Sequence, residues 1–169
     1  MTELQYPIGP FTVVPEAKPA QIAGWIDEIA SLPARMRAAV AALPPGGLDR
    51  PYRPGGWTAR QVVHHTADSH INSYVRFRWA LTEDNPVIKA YEEHLWAELP
   101  DAKSADVEIS LRLLDSLHQR WVILLRSLTP EQLGRLFLHP QSGTRDLVTT
   151  IQLYAWHGNH HVAHLGLIR

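Results

Sequence analysis

The chain has 169 residues, of which 45% are hydrophobic and 20% charged, and its formal net charge is −1. These values predict a single globular domain over residues 1–169 and argue against nucleic acid as the main partner. Because the sequence contains no cysteine, disulfides, thiolate catalysis and cysteine-ligated metal sites are excluded, and any metal would need histidine or carboxylate ligands.

Neither a signal peptide nor a membrane span is expected. Residues 1–7 lack a basic segment followed by an apolar one. No apolar run approaches the roughly 20 residues that cross a bilayer. We therefore expect a cytoplasmic protein with no membrane partner.

The first half of the chain predicts an extended lead-in and two helices. Residues 1–19 are rich in proline and should be extended. Apolar side chains at three- and four-residue spacing predict a helix over residues 20–43, with Pro33 as a kink or break. After a loop rich in proline and glycine, Thr58 should cap a second helix that ends near Thr82.

The second half predicts a long connection and a third helix. Residues 86–103 form a connection so long that, in a compact domain, we expect it to have a functional role. Ser104 or Asp106 should cap the third helix. Its apolar seam is predicted at near-heptad spacing and comprises Leu114, Leu117, Trp121, Leu124 and Leu128.

The remaining elements complete a bundle. Thr129 and Pro130 predict a short extra turn, and residues 137–145 predict a hairpin or a loop. The last helix should begin near Asp146. Four helices with one long connection between helices 2 and 3 predict an all-α four-helix bundle, a fold that builds metal sites between facing helices.

Four histidines crowd the last helix. His157 and His161 lie one turn apart, and so do His160 and His164. Two imidazoles at i and i+4 can hold one metal ion together with a third ligand from elsewhere. His157 and His161 flank the apolar stripe, whereas the other two should turn toward solvent. This favours His157 and His161 as ligands, against the alternative that surface histidines cluster by chance or that one or two of them are hydrogen-bonded core residues.

The second helix carries further histidines whose orientation the spacing leaves open. The apolar arc nominates His70, or else His64, as the inward residue. His65 instead begins a polar stripe at spacings of three and four, which is either a solvated face or the wall of a wet pocket. The stripe continues through Ser69, Asn72 and Arg76.

Several motifs together resemble a known family. They are Tyr6-Pro7-Ile8-Gly9, the run from Tyr52-Arg53-Pro54-Gly55-Gly56-Trp57 to His64-His65, Ala67-Asp68-Ser69-His70, residues 91–96, and Trp156-His157 with His160, His161 and His164. This combination resembles the DinB superfamily, and within it the YfiT-like metal-dependent hydrolases, a branch that includes bacillithiol S-transferases. The similarity extends over nearly the whole chain.

The resemblance implies a four-helix bundle in which three histidines bind a metal. Matched to this chain, the ligands are His65, His157 and His161, with His64 as the alternative to His65. It also implies a homodimer with one divalent ion per subunit, zinc first and nickel next. Three imidazoles leave a coordination position open, as in catalytic sites.

The function implied by the resemblance is metal-dependent hydrolysis by an activated water. The first alternative is transfer of a low-molecular-weight thiol such as bacillithiol in detoxification, and the second is a metal-binding bundle without turnover. The expected partner is a small-molecule substrate, which for the first alternative is a low-molecular-weight thiol, and for the second alternative it is the metal alone. Asn72 and Arg76 are expected on the pocket wall, and Asp68 is expected either beside a ligating imidazole or at the surface. Packing roles in the core or an interface are expected for Trp57, Trp96, Trp121 and Trp156.

Overall fold

A computed structural model describes residues 4–169 of the chain. In chain order its elements are α1 (Pro19–Ala41), a 3₁₀ turn (Gly47–Asp49), α2 (Ala59–Thr82), α3 (Glu93–Trp96), α4 (Pro100–Ser104), α5 (Val107–Ser127), α6 (Pro130–Leu133), β1 (Leu136–His139), β2 (Gly143–Asp146) and α7 (Leu147–Leu165). Within this part of the chain, no helix is both long and apolar enough to cross a membrane.

The four long helices form the predicted bundle. Helix α1 packs against α5 and α7, and helix α2 packs against the same two helices. The consecutive helices α1 and α2 therefore lie diagonally opposite each other in the bundle. Helices α2 and α7, which carry most of the histidines, pack directly against each other. The long connection predicted between the second and third long helices is confirmed, and it contains α3 and α4.

Local signals set the helix ends. The Thr58 side chain accepts a hydrogen bond from the Gln61 amide, and the Gln61 side chain accepts one from the Thr58 amide, which makes a reciprocal cap. Asp106 rather than Ser104 caps α5, and Asp146 caps α7. Helix α1 continues through Pro33.

The extended lead-in lies along α7. The Val14 amide donates to the side chain of Gln152 over 2.9 Å, and the indole of Trp156 donates to the carbonyl oxygen of Gly9 over 3.2 Å. Residues 1–3 of the predicted lead-in are outside the described part of the chain. One face of the last helix is thus covered by irregular chain.

Residues 136–146 form a hairpin, the first of the two predicted alternatives. Strand β1 pairs antiparallel with β2, with Leu136 opposite Asp146. Gly143 adopts a φ of +81° where the second strand begins, a conformation that glycine tolerates best. A bridge between Val87 and Leu138 attaches the hairpin to the long connection.

The buried face of α5 differs from the predicted seam. Leu117, Leu124 and Leu128 are only partly buried. The fully packed positions are Leu111, Leu114, His118, Trp121 and Leu125. Spacings of three and four fit both series, and the neighbouring helices select the one that contains a histidine.

A layer of histidines divides the core into two apolar clusters. One cluster includes Ile29, Phe77, Trp121 and Ala155, and the other includes Leu32, Ala67, Leu114 and Leu165. On each of α2, α5 and α7, buried histidines stand between a residue of one cluster and a residue of the other. We call this set, together with the partly buried His157 of α7, the central histidine layer, and its members are His70, His118, His157 and His161.

Gly158 marks a close approach of α7 to α1. A Cβ added there would lie 2.7 Å from Cδ2 of Leu32, which is itself buried. We expect Gly158→Ala to lower the free energy of unfolding by up to about 2 kcal/mol, because overpacking costs about 1–3 kcal/mol and the gain in helix propensity is about 1 kcal/mol. Urea unfolding measures the change.

Gly24 provides the matched control. It is also helical, it is exposed, and a Cβ added there would have no neighbour within 4 Å. Gly24→Ala should therefore stabilise the protein by about 0.5–1 kcal/mol. Equal stabilisation by both substitutions would contradict the close packing of α7 on α1.

Candidate metal centre

The bundle brings together the three histidines that the resemblance nominated. His65 projects from α2, and His157 and His161 project from the facing helix α7. Each offers one ring nitrogen, and these three atoms lie within 4.8 Å of one another. The three side chains could hold one metal ion between the two helices.

A hydrogen-bonded chain of histidines orients the ring of His157. The carbonyl oxygen of Ile29 can only accept, so His118 donates to it from Nδ1 over 2.7 Å. The second nitrogen of a neutral His118 then accepts, and His70 donates to it from Nδ1 over 3.0 Å. By the same rule His157 donates from Nδ1 to Nε2 of His70 over 3.2 Å. This chain leaves Nε2 of His157 without a proton.

A shorter chain orients His161 in the same way. His164 donates from Nε2 to the carbonyl oxygen of Gln5 over 3.2 Å, so its Nδ1 is an acceptor. His161 donates to that atom from its own Nδ1 over 3.3 Å. Its Nε2 therefore also carries a lone pair and no proton.

Both chains require neutral imidazoles, and burial provides them. Desolvation lowers the pKa of His118 and His164 to about 4. Burial, reinforced by the neighbouring imidazoles, holds the pKa of His70, His157 and His161 well below the usual range. The five rings are therefore uncharged near pH 7.

The two unprotonated nitrogens face each other. The Nε2 atoms of His157 and His161 are 3.2 Å apart, with no proton available for a hydrogen bond between them. Two nitrogens bound tetrahedrally to one zinc ion at roughly 2.0–2.1 Å would be about 3.3 Å apart. Opposed lone pairs at this separation fit a cation, and His65 is placed to add the third ligand.

A second group of histidines is less suited to the same task. His160, His161 and His164 also place one nitrogen each within 4.8 Å of the others. Two of these rings are already joined by the hydrogen bond between Nδ1 of His161 and Nδ1 of His164. A cation here would displace that proton, so the first group is the better candidate.

The prediction that His160 and His164 turn toward solvent is wrong. Their exposed fractions are 7% and 2%. Tyr6 packs beside His160 with ring centroids 5.7 Å apart, and Tyr52 stacks on His164 at 3.9 Å. Irregular segments cover this face of α7, and the periodicity of one helix carries no information about them.

The polar stripe of α2 faces the interior. His65 and Arg76 are 6% and 8% exposed, which excludes the solvated-face interpretation. The His65 ring lies 4.9 Å from that of His161 between centroids and 4.6 Å from that of Trp57. Burial lowers the pKa of His65 to about 4, and the nearby His160 adds to this effect.

Other candidates on α2 lie elsewhere. His64 contacts the hydroxyl of Ser110 at 2.7 Å, away from the three histidines. Asn72 donates to the carbonyl oxygen of Asp68 in its own helix over 2.9 Å, and it lines neither cavity described below. The Asp68 carboxyl has no hydrogen bond to these imidazoles in the described chain, and burial, together with Asp101, raises its pKa to about 6.

A cavity of about 410 Å³ opens beside the three histidines. Glu93 of α3 contributes a carboxylate to its wall. The aromatic lining residues are Tyr6, Tyr52, Trp57 and Trp156. Two tryptophans expected in the core or an interface therefore border the site, whereas Trp121 is a core residue with no exposure.

A smaller cavity of about 270 Å³ meets the first at shared lining residues, His157 and Glu93. It is bordered by α2, the long connection, the β-hairpin and α7. Arg76 lies on its wall together with Arg145 of β2.

Two residues of the centre, His118 and Glu93, were not predicted from the sequence, for different reasons. His118 lies four residues after Leu114 and three before Trp121, so helical spacing did contain a signal for its burial. Glu93 lies in the irregular connection, where periodicity gives no orientation.

Comparison with known proteins identifies relatives of the chain. Residues 28–165 match a family model described as the DinB superfamily. A protein of Bacillus mycoides (strain KBAB4), provisionally named a metal-dependent hydrolase, is 54% identical over 169 residues, which cover 100% of this chain and 97% of the relative. A protein of Bacillus cereus (strain B4264) with the same provisional name shows the same 54% identity and coverage.

Solved structures agree on the fold. YfiT from Bacillus subtilis, described as a probable metal-dependent hydrolase with an unusual four-helix bundle topology, superposes with a TM-score of 0.94 at 46% identity, covering 98% of this chain and 95% of that chain. A mycothiol-dependent maleylpyruvate isomerase superposes with a TM-score of 0.57 at 17% identity, covering 86% of this chain and 60% of that chain. The second likeness concerns the fold alone.

Proposed function

Since the chain belongs to the DinB superfamily, we propose that it is a metal-dependent hydrolase in which His65, His157 and His161 hold one divalent ion. One observation carries the proposal: the Nε2 atoms of His157 and His161, both unprotonated, face each other at 3.2 Å. The names given to the relatives from Bacillus support the same reaction class.

The donor set favours zinc, with nickel as the next choice. Three neutral imidazoles suit both ions, and zinc is commonly held by three protein ligands when a position is kept for catalysis. When bound, such an ion supplies Lewis-acid activation of the substrate and of the nucleophile.

The protein itself orients the reactants and accepts a proton. Trp57, Trp156 and the tyrosines of the larger cavity provide apolar walls that bind a small organic substrate and limit water. Glu93 is the carboxylate on this wall, and its pKa is raised, first of all by burial. A carboxylate made more basic in this way can accept a proton from the nucleophile, which is the role we assign to Glu93.

Metal content and turnover of the same preparations test the proposal. Untagged protein is stripped of metal, reloaded with zinc or nickel, and assayed for cleavage of a panel of carboxylic esters and amides. We expect about one equivalent of metal per chain and metal-dependent cleavage. His65→Ala should lose both metal and turnover, while Glu93→Gln should retain the metal and lose turnover.

His94 provides the control, because its side chain is exposed. His94→Ala should keep both metal and turnover. A wild-type protein that takes up neither metal, or cleavage that survives His65→Ala, would contradict the proposal. Conjugation of a low-molecular-weight thiol to a halogenated bimane, without ester or amide cleavage, would assign thiol transfer instead. Tight metal binding without either reaction would assign a non-catalytic bundle.

The homodimer, the cytoplasmic location and the preference for zinc over nickel stay predictions. So do the single-domain boundaries and the role of Asn72 toward a substrate.

A further inference from the structure

The smaller cavity carries an excess of buried positive charge. Arg76 of α2 and Arg145 of β2 both line it. Arg76 is only 8% exposed, and Arg145 is partly buried. Burial lowers the pKa of the Arg145 guanidinium, and the positive charge of Arg76 acts in the same direction. The two guanidinium groups therefore share one cavity, where each disfavours the charge of the other.

No carboxylate forms an ion pair with either arginine in the described part of the chain, since neither has an acidic oxygen within 4.0 Å. The one hydrogen bond that the Arg76 guanidinium makes there is to the carbonyl oxygen of Lys89 over 3.3 Å. Glu93 also lines the cavity and acts on Arg76 only through space. Burying an unpaired charge is costly unless a partner of opposite charge arrives.

Two further features suit an anionic partner. The pKa of His139, also on the wall, is lowered by burial and then by Arg76 and Arg145, so the positive field reaches across the cavity. The hydroxyl of Tyr91, another lining residue, is buried and has no hydrogen-bond partner among residues 4–169. It is therefore a hydrogen-bond donor still free for a ligand.

We propose that this cavity binds an oxyanion, the carboxylate or phosphate group of the substrate, between Arg76 and Arg145. Arginine binds both groups in a bidentate manner. The volume of about 270 Å³ suits a small charged group rather than a whole nucleotide. Because the cavity meets the larger one at His157 and Glu93, an anion here would place the rest of the molecule beside the three histidines.

This inference deepens the proposed function, since it names the substrate class of the same site. The substrate is a small acid or phosphate ester whose anionic end lies at the arginines and whose reacting bond lies at the histidines. Anion binding at the arginines does not itself require the metal, so the two proposals can fail separately.

Calorimetric titration of succinate and of inorganic phosphate tests the inference, with metal-free and zinc-loaded protein. We expect binding to both forms, with Arg76→Gln and Arg145→Gln each raising the dissociation constant at least tenfold. The tighter of the two probes identifies the kind of anion. Both probes should also raise the midpoint of thermal unfolding of the wild type and leave that of the variants almost unchanged.

Arg78 is the matched control, because it lies on the same helix, is exposed and is not on the cavity wall. Arg78→Gln should bind both anions as the wild type does. If Arg76→Gln does not fold, the partly buried Arg145→Gln gives the result. Binding that is the same in all variants, or that requires zinc and ignores both arginines, would overturn the inference while leaving the metal centre intact.

Discussion

Replacing either His157 or His161 by alanine should reduce bound metal from about one equivalent per chain to none. Each substitution removes one of the two nitrogens that face each other at 3.2 Å, and two ligands alone hold zinc poorly. Elemental analysis after dialysis against metal-free buffer measures the loss. Circular dichroism should remain helical, because the two apolar clusters on either side of the central histidine layer are unchanged.

The same series distinguishes ligands from the residues that orient them. His118→Phe removes the donor to the Ile29 carbonyl oxygen, so the proton on His157 is no longer fixed, and metal affinity should fall by about 10- to 100-fold. His160→Ala should keep the metal, because His160 is not one of the three proposed ligands His65, His157 and His161. Loss of metal from His160→Ala would instead identify the second group of histidines as the site.

Lowering the pH should destabilise the metal-free protein already between about pH 6.5 and pH 4. His65 and His118 have pKa values of about 4 in the folded protein, against about 6.5 when unfolded. Between these values the unfolded chain binds protons that the folded chain does not. The free energy of unfolding must therefore fall as the pH falls from about 6.5 toward 4, by about 1.4 kcal/mol per pKa unit for each histidine.

One carboxyl opposes this trend. The pKa of Asp68 is raised to about 6, so its protonation favours the folded state as the pH falls through that value. Since the buried histidines outnumber it, the net slope should keep its sign. Urea midpoints measured between pH 7.5 and 4.5 test this, and His94→Ala should match the wild type because its ring is exposed. Midpoints that do not change between pH 7 and 5 would contradict the burial of neutral histidines.

Helix positions and their caps were largely predictable because their signals are local. Thr58 and Asp146 each accept a hydrogen bond from the amide three residues later in the helix that they begin, so a few residues of sequence suffice. The DinB resemblance also supplied the candidate ligands. In α2, spacing alone favoured His70 or His64 over His65, and only the facing helix α7 shows why His65 points inward.

Side chains brought together by irregular segments could not be predicted in the same way. His160 and His164 are buried by Tyr6 and Tyr52, which lie in segments without periodicity. Arg76 and Arg145 line the same smaller cavity because the β-hairpin packs against α2. Such contacts depend on tertiary packing, and the residue pattern within a single helix or strand contains no information about it.

Pro33 has a consequence for the metal centre that its position in α1 does not suggest. In a regular helix the carbonyl oxygen of Ile29 would accept from the amide of residue 33, but proline has no amide hydrogen. That oxygen is therefore free to accept from His118. A missing hydrogen in the first helix thus determines, three imidazoles away, which nitrogen of His157 is open to a metal ion. Replacing Pro33 by a residue with an amide hydrogen would restore a competing donor to the carbonyl oxygen of Ile29 and weaken the hydrogen bond that His118 donates to it.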